Sequence, residues 1–274
     1  MSAMSLPVQL LAVASLLPVA GTLIWRQPAR AGGTDVLYWV GLALAVAGPI
    51  ALSVAMLRDG WRPGFGLSLW VSAAGSIAIY AAIALFEPAA RRLALLLGPY
   101  LAILGLIASV WIGLDPPAAA SQGGAAPGGW LAIHIVLSVA AYAVVTLAAM
   151  AALALTLQER ALKSRRPTAL SRRLPAAADA EALEHRLLVA AEIMLGLGLV
   201  TGMGASMIAS GTLFTVEHKT LLTLAGFAAI AALLWARARY GLRGRRAARV
   251  VLVAYLLVTL GFPGVKFVTD VLIG

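Results

Sequence analysis

The sequence has 274 residues, of which 62% are hydrophobic and 12% charged, with a formal net charge of +10 and no cysteine. So apolar a chain is not an ordinary soluble globular domain. Without cysteine it holds no disulfide, thiol relay, thiolate metal site or covalently attached c-type haem.

Windows of about 19 residues give eight apolar segments of spanning length. The first four are residues 6–25, 36–57, 65–86 and 93–111, and the second four are 130–157, 187–209, 221–236 and 250–267. No segment alternates with period two over ten residues, which excludes a membrane β-barrel. The expected fold is all-α: a polytopic integral membrane protein, a bundle of eight transmembrane helices. The first segment has no preceding lysine or arginine and is longer than a typical signal-peptide core, so it is expected to remain as a helix.

Two domains are expected. Residues 1–128 supply four helices and a low-complexity outer loop, "DPPAAASQGGAAPGG", that acts as a flexible connector. Residues 129–274 form a second four-helix core. The loop after the fifth helix begins as a charged helical extension, "QERALK", and breaks near Pro167 and Pro175. Neither long loop has room for a soluble domain, so the chemistry belongs in or at the membrane.

Charge fixes the expected orientation. Of the 21 lysines and arginines, all but Arg58, Arg62, Lys219 and Lys266 fall in one set of alternate loops. The positive-inside rule then puts both termini outside and the basic loops in the cytoplasm, against anionic lipid. The basic clusters sit at helix ends without interleaved aromatics, which argues against nucleic acid as a partner.

On this topology two of the three histidines reach the same level. His134 lies roughly 6 Å below Trp130 on the outer side of the fifth helix. His218 lies at the outer end of the seventh, in "TVEHKTLLTLAGF". His185 is at the cytoplasmic side, about 30 Å away.

His134, Ser138, Tyr142 and Thr146 recur every four residues, so they share one helical face; Ser68, Ser72, Ser76 and Tyr80 do the same on the third helix. Such stripes face the bundle interior, either as hydrogen-bonding groups between helices or as the lining of a site. In the sixth helix Gly196, Gly198, Gly202 and Gly204 permit close packing or leave room for a flat ligand. Glu192 in the same helix is a proton or partner site, or pairs with Arg186 or a helix end.

Two imidazoles at one level, an apolar slot and a few outward cations suit non-covalent haem b. His134 and His218 would be axial ligands, with Ser138 and Tyr142 on the lining face. The outward cations Arg58, Arg62, Lys219 and Lys266 are available to the propionates, or act as interfacial anchors. A bare two-histidine metal site has only Glu217 and Asp115 for carboxylate support.

Several stretches then resemble the integral membrane cytochrome c assembly family, which includes the CcsA and CcmC haem-handling proteins and the shorter HemX-like and YpjD-like members. They are "HIVLSVAAYAVVTLAAMAALALTLQERALK", "MLGLGLVTGMGAS", "HKTLLTLAGFAAIAALLWARARYGLRGRRA" and the tail "LGFPGVKFVTDVLI". They cover about 140 residues, and eight helices suit the HemX-like and YpjD-like branch.

The resemblance implies that His134 matches the family's outward-facing axial haem histidine, and that His218 matches the His-Lys-Thr variant of the shorter members. The sequence departs from the haem-handling members in lacking the tryptophan-rich segment, since "SGTLFTVEHKT" holds no tryptophan, and in lacking a second outer histidine after the last helix. The expectation is therefore a non-enzymatic, haem-binding accessory factor for cytochrome c assembly or haem homeostasis in a bacterial cytoplasmic membrane. Its alternatives are a haem-free scaffold or regulator of a partner membrane protein, and a small-solute transporter. Against the transporter, no charged pathway crosses the bilayer and no discontinuous helix is evident.

Overall fold

A computed structural model describes residues 6–25, 36–58, 64–112, 128–211 and 218–268. All regular structure among them is helical, and eight helices are long and apolar enough to cross a membrane. The chain divides into two compact units, one of Met1–Gly124 with Arg160–Ala176, the other of Ala125–Glu159 with Ala177–Gly274.

In the first unit the opening span is broken. Helices α1 (Leu6–Ser15) and α2 (Pro18–Trp25) are separated at Leu16 and Leu17. Proline has no N–H and its ring blocks the preceding turn, so it starts a helix well and continues one badly. The amides of Leu16 and Leu17 turn back to the carbonyls of Val13 and Ala14 at 3.1 and 3.3 Å. A break at membrane depth needs protein around it, and glycines supply close contact. A Cβ on Gly41 would lie 3.2 Å from Val19 N, and one on Gly98 would lie 3.1 Å from Leu16 O. The expectation of one continuous first helix, and of no discontinuous helix, is thus corrected.

The other spans of this unit are α3 (Val36–Arg58), α4 (Phe65–Phe86) and α6 (Ala94–Ile112), with the short α5 (Pro88–Arg91) between the last two. Trp70, Ile77, Tyr80, Leu97 and Leu101 form its core. The serine stripe does not tie helices together as hydrogen-bonding glue would. Ser68 donates to Gly64 O and Ser72 to Ser68 O, inside their own helix. Tyr80 does reach across: its hydroxyl donates to Arg91 O at 2.8 Å and lies 2.7 Å from the Tyr38 hydroxyl.

The second unit contains α7 (Gly129–Ser164), α8 (Ala177–Ser210), α9 (His218–Tyr240) and α10 (Gly244–Thr259), with α10 prolonged by a π-helical turn at Leu260–Gly264 and by α11 (Val265–Phe267). The 36 residues of α7 span about 54 Å, more than the hydrocarbon layer, so its charged end projects beyond it as expected. α8 begins ten residues before the apolar run at 187, which places His185 inside the helix rather than at its start. The π turn contains Pro263, which removes one amide from the helical ladder.

Glycines bring α9 against the last span: a Cβ on Gly226 would lie 2.7 Å from Val258, and one on Gly261 3.0 Å from the Thr223 hydroxyl. At the far end of α9, Arg237 donates to both Glu184 oxygens at 3.0 and 2.9 Å, and the pair is almost wholly buried. His185 accepts from Arg237 at 3.4 Å, and Glu181 accepts from the amide of Gly244 at 3.1 Å. This network gives His185 an anchored place.

Candidate functional site

One turn separates Trp130 from His134 on α7, and both meet the glycine-rich stretch of α8. The Trp130 indole donates to Thr201 O at 2.9 Å. His134 Nδ1 lies 3.1 Å from Gly198 O and 3.2 Å from the Thr201 hydroxyl oxygen. That hydroxyl lies 2.8 Å from Leu197 O and 3.1 Å from Gly198 O, both acceptors, so its own proton is committed within the helix. Toward the ring it can only accept. Both neighbours of Nδ1 are therefore acceptors, and Nδ1 carries the imidazole proton.

The chemical consequence lies at the other nitrogen. Nε2 keeps its lone pair and has no hydrogen-bond partner among the described residues. A neutral imidazole whose N–H is held by a backbone carbonyl is the form that binds a metal centre, since the held N–H fixes ring orientation and raises ligand basicity.

The glycines of α8 have distinct jobs. A Cβ on Gly202 would stand 2.9 Å from His134 Cε1, and one on Gly204 would stand 2.5 Å from Trp130 Nε1. Close packing against two rings thus accounts for these two. Gly198 is different: it is buried, yet nothing lies within 4 Å of where its Cβ would be. That open space belongs to the residue whose carbonyl faces Nδ1.

At the head of α9, Lys219 lies within electrostatic reach of the His134 ring. His218 precedes it, and both side chains are exposed. Deeper on α7, Ser138 is half-buried and Tyr142 is buried, its ring centroid 6.3 Å from that of Tyr255 and 5.9 Å from that of Phe262. Thr146 donates to Tyr142 O within the helix. His134, Ser138, Tyr142, His218 and Lys219 all belong to the second unit. Arg58 ends α3 in the first unit and is exposed. Arg62, Asp115, Glu217 and the Lys266 side chain lie outside the described residues.

Glu192 forms no ion pair with Arg186 among the described residues, and its buried Oε2 has no hydrogen-bond partner. Thr201 was not singled out from the sequence. Its signal was there, a hydroxyl set between Gly198 and Gly202 on the face that meets His134.

No three histidine or acidic side chains gather among the described residues as a metal site. A planar macrocycle brings its own equatorial nitrogens and asks the protein for axial ones only. One oriented Nε2 and a nearby ammonium fit that demand.

The pattern of the family described as "Cytochrome C assembly protein" matches residues 66–273, a range that contains His134, Thr201 and His218. An uncharacterised 28.8 kDa protein in a nifR3-like 5′ region of Azospirillum brasilense is 45% identical over 244 residues, covering 89% of each chain. No solved structure matches. With most of its length inside the family's pattern, this multi-pass membrane protein belongs to the cytochrome c assembly protein family.

Proposed function

We propose that the protein is a haem-binding accessory factor of the bacterial cytoplasmic membrane, acting in cytochrome c assembly or haem homeostasis without turnover of its own. The observation that carries this reading is the protonation pattern of His134. Gly198 O and Thr201 Oγ1 accept hydrogen bonds from Nδ1–H and leave the Nε2 lone pair available as a ligand. In this reading Nε2 and His218, at the head of α9, would hold non-covalent haem b. Lys219 meets a propionate. Ser138 and Tyr142 would continue the lining face, and Arg58 and Arg62 would serve as interfacial anchors. The charge asymmetry of the loops puts this end of the second unit at the outer leaflet. Bound haem would supply an iron centre whose potential is set by its axial ligands; the protein supplies orientation and an apolar wall.

The second reading is a haem-free scaffold for another membrane protein. It is supported by the fit of Trp130 over Gly204 and His134 over Gly202, which explains these residues by helix packing alone. The test is a haem titration of the detergent-purified protein beside His134→Ala and His218→Ala. The haem reading expects a saturable Soret band with low-spin reduced bands, lost from both variants. A protein that stays colourless in excess haem would leave the scaffold.

A further inference from the structure

In the first unit, where α3 begins and α4 ends, one arginine is held from several sides. The Tyr80 hydroxyl donates to Arg91 O at 2.8 Å. Its proton being used there, Tyr38 is the donor in the 2.7 Å bond between the two tyrosines. This relay fixes the Arg91 backbone. The side chain is fixed separately: Nε donates at 2.9 Å to Ala84 O, in the last turn of α4, where helical carbonyls lack amide partners. The guanidinium carbon sits 5.1 Å over the Trp39 ring.

After these contacts the two terminal nitrogens of Arg91 have no protein acceptor among the described residues. Arg92, next in the chain, spends one nitrogen on Leu174 O at 3.5 Å. Neither arginine is paired with a carboxylate among the described residues, although both are half-buried. Among the described residues no carboxylate compensates these two adjacent positive charges, one of them rigidly presented. An arginine fork held in this way matches two oxygens of a phosphate.

The surroundings say which phosphate. Val36, Leu37 and Val40 on α3, and Leu85 and Phe86 on α4, are exposed apolar side chains in the same turns, with Phe86 exposed to 86%. Tyr38 and Trp39, at the start of a spanning helix, are residues of the membrane–water boundary. Apolar surface thus flanks a phosphate-shaped donor at headgroup level. We propose that Arg91, stacked on Trp39 with Arg92 beside it, is a binding site for the phosphodiester of an anionic phospholipid, whose acyl chains lie along Leu37, Val40 and Phe86. The site is independent of the haem reading.

The test is native mass spectrometry of the full chain in detergent, titrated with phosphatidylglycerol or phosphatidylcholine. Wild type should prefer phosphatidylglycerol by about tenfold, and Arg91→Gln should reduce that preference by roughly fivefold, the worth of one interfacial cation. Arg91→Lys keeps the charge but not the fork or the bond to Ala84 O, and should lose part of it. Tyr80→Phe, which only frees the Arg91 backbone, should lose less, and stands in if Arg91→Gln does not fold. Arg166→Gln removes an exposed charge of a basic loop and should change nothing. Equal binding of the two lipids, or equal losses in Arg91→Gln and Arg166→Gln, would overturn the site. So would displacement of phosphatidylglycerol by millimolar inorganic phosphate, which would make the ligand a soluble anion.

Discussion

His134 Nδ1 and the Thr201 hydroxyl oxygen meet at 3.2 Å with the ring as donor, because the hydroxyl proton is already given to the α8 backbone. A contact of this kind governs which face of the imidazole is available to anything outside the protein. Thr201→Val keeps the shape and removes the acceptor. With Gly198 O alone holding the ring, haem affinity should fall by roughly tenfold, at the low end of losses at residues that orient metal ligands. Haem titration by absorbance measures this. Unchanged affinity would mean that the carbonyl alone orients the ring.

The two glycines on either side of Thr201 should respond in opposite ways. Alanine at Gly202 meets His134 Cε1 at 2.9 Å and must push the ring away, whereas alanine at Gly198 enters open space. Gly202→Ala is expected to weaken haem binding, and Gly198→Ala to leave it intact. Gly198→Ala should also stabilise α8 by about 0.5–1 kcal/mol, the usual helix preference for alanine. Parallel titrations and thermal unfolding of the two variants separate these effects.

Glu184 and Arg237 form the other polar centre of the second unit, a two-bond pair almost wholly out of water. Removing one partner strands a buried charge. Glu184→Leu and Arg237→Met should each cost about 3–5 kcal/mol, while the double variant should recover much of the loss, because two apolar side chains need no partner. Denaturant unfolding of all four proteins closes the cycle. Additive losses would show that the pair does not act as a unit.

The broken first span makes a further prediction. Gly41 has Val19 N and Pro18 C within 3.3 Å of its missing Cβ, and Gly21 has nothing within 4 Å. Gly41→Leu should therefore destabilise the first unit by roughly 1–3 kcal/mol as an overpacked contact, and Gly21→Leu by much less. Comparing melting midpoints decides it.

What the sequence revealed and what it hid have physical causes. Hydropathy found the eight spans, since a membrane helix is selected for uniform apolarity over a fixed length. For the same reason it missed the break before Pro18: Leu16, Leu17 and Pro18 are all apolar, and a window average does not register the lost amide. It also began α8 too late, because the turns from Ala177 to Arg186 are charged, and apolarity is not a measure of helicity. His134 stood out because a lone imidazole in an apolar helix is conspicuous. Thr201 and Arg91 did not, because their roles rest on the His134 ring and the Ala84 carbonyl that face them, and those partners lie 67 and 7 residues away along the chain. The serine stripe misled for a related cause. A helical serine has its own backbone carbonyl one turn back, and Ser68 and Ser72 use it.

The most direct test of the central claim is the reduced absorption spectrum of haem-supplied protein carrying His134→Ala, recorded before and after adding imidazole. The account predicts that the low-spin bands of wild type vanish in the variant and return when free imidazole occupies the vacated position under Gly202 and Thr201. Low-spin bands that persist in His134→Ala without imidazole would contradict it, and would move the haem to other ligands.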